Sequence, residues 1–140
     1  MAHTKMLEAY PKDLGNIDKE KLAECIAACF ECAQICTACA DACLSEDMVA
    51  ELTKCIRTDL DCADICVATG NALSRHTGYD ANVARAFLEA CATACKACGD
   101  EYLIHPEKTG PRSTYCSRRC YDLKCTDWRS RGLRRYPKRI

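Results

Sequence analysis

Glycine and proline are scarce here, 6 and 4 of 140 residues, and aromatic side chains make up only 6%. So few turn residues argue against a loop-rich secreted disulfide scaffold, the usual explanation of a cysteine-dense chain. The cysteine count, 15, is odd, so disulfides alone would leave at least one thiol over. No Ser-His-Asp set, phosphate-binding glycine loop or carboxylate pair is visible, and an enzyme is not expected. Met1 to Gly15 has no apolar run and no basic segment ahead of one, which predicts no secretory signal. No stretch reads as long and apolar enough to cross a membrane. These absences predict a cytoplasmic protein whose cysteines are thiols or metal thiolates. A net charge is also missing, but it is unevenly spread. Residues 1–105 carry 9 Lys+Arg against 17 Asp+Glu, and residues 106–140 carry 11 against 3. The basic end reads as a solvated tail, and neither nucleic acid nor a membrane is expected as a partner.

What is present is thiol. Cys25, Cys29, Cys32, Cys36, Cys39 and Cys43 follow one another in steps of four, three, four, three and four. Such steps line one face of a single helix, at positions a bundle turns toward its partner helices. Cys55, Cys62 and Cys66 repeat the theme, with Met48, Leu52, Asp59, Thr69 and Leu73 in the same register. So do Cys91, Cys95 and Cys98, with Ala84, Leu88, Tyr102 and His105. Cys116 and Cys120 continue it with Leu123, while Cys125 falls off that seam.

Capping and breaking residues divide the chain. A short helix is expected over Thr4–Ala9, stopped by Pro11. A second begins at a cap, Asn16 or Asp18, and runs from about Asp18 to Leu44. Ser45 ends it and, followed by acidic Glu46 and Asp47, reads as the cap of a helix reaching His76. Gly78 is a stop, Asp80 caps a helix to Ile104, and Ser113–Ser130 forms a shorter one. The expected architecture is all-α: an antiparallel four-helix bundle with a cysteine-lined core and a short N-terminal helix. Residues 1–16 form the N-terminal segment, 17–130 the bundle and 131–140 the basic tail.

Thiols in this register suit a soft monovalent ion. Cβ atoms at i and i+4 lie about 5–6 Å apart, and two metal–sulfur bonds of about 2.3 Å bridge such a pair. Zn²⁺ requires four ligands in a tetrahedron, whereas Cu(I) accepts two or three thiolates. Each Cu(I) that displaces one proton also leaves a buried core neutral. The expected cargo is therefore multiple Cu(I) ions. Four alternatives stand beside this reading. A zinc or broad metallothionein-like sink could use sulfurs from facing helices. An iron–sulfur carrier could use the CxxC pairs, although such clusters occupy irregular loops. A CxxC redox enzyme would need an exposed low-pKa thiol. An interaction bundle could bind nucleic acid through its tail. Asp59 is a candidate polar ligand or hydrogen-bond partner within the second seam. His3 is expected to be disordered, His76 to be a cation at a helix end, and Tyr115 and Trp128 to cover the bundle end. In an antiparallel bundle Cys43, Met48, His105 and Cys116 gather at one end. Their thiol, thioether and imidazole groups are all copper-competent, and that end is expected to be the mouth.

The segments ECIAACFECAQICTACADAC, CIRTDLDCADIC and TGYDANVARAFLEACATACKACGDE resemble the cytosolic copper storage proteins, over Glu20–Glu101. The resemblance implies a homotetramer of four-helix bundles that stores and buffers Cu(I), mostly through CxxxC pairs and thiolates of neighbouring helices. It implies storage without catalysis, and a copper chaperone is a candidate partner. The final segment departs from the family pattern, with Tyr102 where a further cysteine would be expected.

Overall fold

The computed structural model describes residues 2–104 together with Cys116 and Cys120. Within residues 2–104 lie four α-helices: α1 (Ala2–Glu8), α2 (Lys19–Leu44), α3 (Thr53–Leu73) and α4 (Ala81–Ile104). There is no strand among the described residues. Cys116 and Cys120 are each helical and buried. The rest of the expected Ser113–Ser130 helix lies outside the described residues, as do Tyr115, Leu123, Cys125, Trp128 and the tail 131–140.

Local chemistry sets most of the boundaries. The Asp18 carboxylate accepts the Lys21 N–H at 3.1 Å and caps α2. Asp80 accepts from the Asn82 and Val83 N–H groups, at 2.8 and 3.2 Å, and starts α4. Gly78 takes a positive φ of 63° in the turn before it, which costs glycine little. The start of α3 differs from the expectation at Ser45. Ser45 closes α2 as expected, its N–H donating to Ala42 O at 3.2 Å, but it does not cap α3, which starts at Thr53. The chain then turns through a 3₁₀ segment, Val49–Glu51. The reason is geometric. A helix beginning at Ser45 would prolong α2, whereas packing back against it needs a link of several residues. Buried Leu52 ends that link and anchors α3. As a consequence Met48 is not in the cysteine seam. It precedes the 3₁₀ turn and is 43% exposed.

Contacts that ascend one helix descend its neighbour, the sense required of antiparallel packing. Cys66 meets Cys91 at 3.7 Å, Cys62 meets Cys95 at 3.6 Å and Asp59 meets Cys98 at 3.0 Å. Between α2 and α3, Cys32 lies 4.0 Å from Cys62. Further along, Gly70 passes so close that a Cβ there would sit 3.0 Å from the Phe30 ring. A Gly70→Leu change is therefore expected to wedge α2 from α3. It should lower thermal stability by roughly 1–3 kcal/mol, read as the denaturation midpoint of the reduced apoprotein.

The seam residues Leu52, Thr69, Leu73, Ala84 and Leu88 are buried as the register predicts. By length and composition α2 does reach what a membrane span needs, with a mean hydropathy of 1.4, contrary to the sequence expectation. That apolarity comes from thiols and alanines. All six cysteines of α2 are buried in the shared core, and half of the most apolar window is covered.

At the far end, α1 lies against α2, with Leu7 buried in the common core. His3 is ordered, not disordered: its ring stacks on Phe30, centroids 6.1 Å apart. His76 follows α3 instead of ending it and packs edge-on against Tyr10 at 5.4 Å. Burial lowers its pKa, which opposes the cationic role expected of it.

Candidate metal centre

The bundle core is a column of sulfur. Along α2, Cys32 and Cys36 place their Sγ atoms 3.9 Å apart, and along α3, Cys62 and Cys66 place theirs 4.0 Å apart. These are the CxxxC pairs. Sulfurs of different helices come equally close: Cys66 to Cys95 at 3.6 Å, Cys36 to Cys98 at 4.0 Å, Cys36 to Cys116 at 3.8 Å and Cys32 to Cys120 at 3.8 Å. Two bonds of about 2.3 Å span about 4.6 Å in a straight line. Present spacings thus suit a bent bridge, and small side-chain rotations would open them to a linear one.

Three compact groups of four thiols result: Cys32/Cys62/Cys66/Cys95, Cys32/Cys36/Cys62/Cys120 and Cys36/Cys98/Cys116/Cys120. They overlap. Cys32 and Cys62 belong to two groups, and so do Cys36 and Cys120. A fourth group, Cys39/Cys43/Asp59, adds an oxygen donor. Cys29 and Cys91 extend the column toward α1, and Cys55 stands near the other end; all are buried and in no disulfide. Cys25 is a correction to the expected thiol set. It is buried on the seam but disulfide-bonded, and in that state it offers no thiolate. His105 lies outside the described residues.

The ionisation of these groups follows from burial and crowding. Burial pushes the Cys55 thiol up to about 12, so it stays protonated at neutral pH. Inside the column, hydrogen bonds between thiols raise some and lower others. Cys91 raises Cys29 and Cys116 raises Cys36, while Cys120 lowers both Cys62 and Cys116. The column therefore titrates as a coupled set, not as independent thiols.

Asp59 is a carboxylate set among these thiols, and it is wholly buried. It accepts hydrogen bonds from Tyr102 Oη at 2.5 Å, Cys98 Sγ at 3.0 Å and Cys116 Sγ at 3.7 Å. The seam register places it there, and the spacing alone left its role open. Burial drives its carboxyl up to about 7, against the pull of the Cys98 and Tyr102 hydrogen bonds. Between the ordinary value of 3.8 and about 7, the folded protein keeps a proton the unfolded chain has released. Stability then falls as pH rises through that window. Chemical denaturation of the reduced apoprotein should show this loss, on the order of 4 kcal/mol at most. Asp59→Asn should remove the slope; an unchanged slope would mean that Asp59 is ionised in its pocket.

Glu101 is also buried and pairs with Lys54 Nζ at 2.9 Å, tying α4 to α3 beside this layer.

The family model described as copper storage protein matches residues 18–129. No curated protein matches the chain. Among solved structures, the copper storage protein Ccsp of Streptomyces lividans, loaded with 10 copper equivalents, is 55% identical with a TM-score of 0.85, over 94% of this chain and 98% of that one. The same cytosolic protein carrying five coppers is 57% identical over 79% of this chain and 93% of its own, with a TM-score of 0.75. A double histidine-to-alanine variant of it is 55% identical over 86% and 98%, with a TM-score of 0.76. The sulfur column thus lies within a match spanning most of the sequence, and the chain belongs to the copper storage protein family.

Proposed function

We propose that this protein stores and buffers Cu(I) in the cytosol, holding many ions per chain on its core thiolates and catalysing no reaction. The observation that carries this is the overlap of the four-thiol groups. Sulfurs shared between adjacent groups suit bridging thiolates and a soft d¹⁰ cation. The proposed ligands are Cys29, Cys32, Cys36, Cys39, Cys43, Cys55, Cys62, Cys66, Cys91, Cys95, Cys98, Cys116 and Cys120, joined by Cys25 when reduced. The ten- and five-copper states of the Streptomyces lividans relative support multiple ions and a cytosolic setting.

Copper enters, in this proposal, at the end holding Cys43 and Met48. Met48 is solvent-exposed there, whereas Leu73, Ala84, Leu88 and the docked α1 close the opposite end. Assembly into a homotetramer and exchange with a copper chaperone are proposed from the family resemblance.

The test is a titration of the fully reduced apoprotein with Cu(I) against a strong competing chelator. Uptake should approach the 14 cysteines of the described residues, the 13 that are in no disulfide and Cys25 once reduced. Saturation at one or two equivalents would overturn storage.

A further inference from the structure

The thiol column does not run unbroken to the exposed end. Tyr102 stands in its register on α4, one turn beyond Cys98, and is 2% exposed. Its hydroxyl reaches across the core to α3 and α2 at once. It donates to Asp59 Oδ2 at 2.5 Å and lies 2.6 Å from Cys39 Sγ. Asp59 in turn accepts from Cys98 and Cys116, so one hydrogen-bonded layer ties together all the helical segments that build the column. Beyond that layer, toward Met48, is Cys43. Inward lie the three overlapping four-thiol groups. Cys39 and Asp59, two members of the fourth group, are both engaged by this phenol.

We propose that Tyr102 is a gate between the outer thiol Cys43 and the inner thiol column: Cu(I) passes inward or outward only when the Tyr102 hydroxyl leaves Asp59 and Cys39. The reading rests on copper storage through this end. Tyr102 is a positioning residue, not a ligand. Its phenol keeps Asp59 and Cys39 out of metal coordination until a Cu(I) ion displaces it, and the thiol proton replaced by the metal leaves through the same layer. The gate governs the rate of filling and emptying and leaves capacity alone.

Stopped-flow loading of the reduced apoprotein, followed by chelator-driven unloading, tests this with Tyr102→Phe. That change keeps the ring and removes the hydroxyl. A hydrogen bond to a charged or strongly polar partner accounts for about a tenfold factor or more. Inner filling and unloading should both accelerate by about tenfold, at an unchanged number of bound ions. Unchanged rates would overturn the gate while leaving storage intact. Saturation of the wild type at one or two equivalents would overturn storage, and the gate with it. The wild type supplies a reading that needs no substitution. Its tyrosine absorption should shift in step with the onset of inner filling, as the phenol leaves the carboxylate. A band that stays constant throughout filling would overturn the gate.

Discussion

Replacing Cys29, Cys32, Cys36 and Cys39 with alanine is expected to remove more copper capacity than four thiols alone would account for. Each of the three four-thiol groups contains Cys32 or Cys36, and the group with Asp59 contains Cys39. The quadruple variant therefore leaves no group complete. Residues sharing one network lose function non-additively, so roughly half or more of the bound equivalents should disappear. Folding should survive. Alanine is a stronger helix former than cysteine, and α2 already carries Ala23, Ala27, Ala28, Ala33, Ala38, Ala40 and Ala42. Each lost sulfur leaves a void comparable to a deleted methylene, at a cost of roughly 1 kcal/mol. Cu(I) titration together with far-ultraviolet circular dichroism separates the two effects. Full capacity with intact helicity would show that these sulfurs are not the store. A single exposed change such as Leu60→Ala serves as the control, since Leu60 lies on the outer side of α3 and is 44% exposed.

The thiol register made most of this readable from sequence. Steps of three and four fix which face of a helix is buried without any knowledge of its neighbours. That is why Leu52, Asp59, Thr69 and Tyr102 were placed correctly along with the cysteines. The Asp18 and Asp80 caps were legible for the same reason, since a carboxylate before a helix satisfies N–H groups within its own few residues. What failed depended on how the chain folds back. Ser45 has the chemistry of a helix start, but the turn needed to bring α3 alongside α2 displaced that start to Thr53 and left Met48 outside. Sequence spacing also could not reveal the phenol–carboxylate–thiol layer, because Asp59, Tyr102 and Cys39 lie on three different helices. The buried edge-on packing of His76 is not legible in the spacing, because its partner Tyr10 is distant in sequence. The apolarity of α2 was underestimated because it is carried by thiols and alanines, not by leucine.

The second large effect concerns charge. Each Cu(I) bound should release about one proton, and apparent affinity should rise about tenfold per pH unit wherever the thiols are protonated in the apoprotein. The argument is electrostatic. The thiol groups proposed to hold the metal are buried, and uncompensated charge there is costly. A cation of unit charge that replaces a proton leaves the column neutral at every stage of filling. A Zn²⁺ ion held by four thiolates would leave two negative charges at each centre. Sharing Cys32 and Cys62 or Cys36 and Cys120 between neighbouring centres would reduce that charge, but shared sulfurs leave too few thiolates for many four-coordinate ions. Zinc loading should therefore stop after few ions and release more than one proton for each. Copper loading should continue at a constant proton yield until the thiols are used. A pH-stat titration of the reduced apoprotein with each metal reads both numbers directly. A steady yield near one proton per copper over many equivalents supports neutral filling of a shared thiolate column. A yield near zero would mean that the thiols are already ionised before the metal arrives, and neutral filling of a protonated column would be overturned.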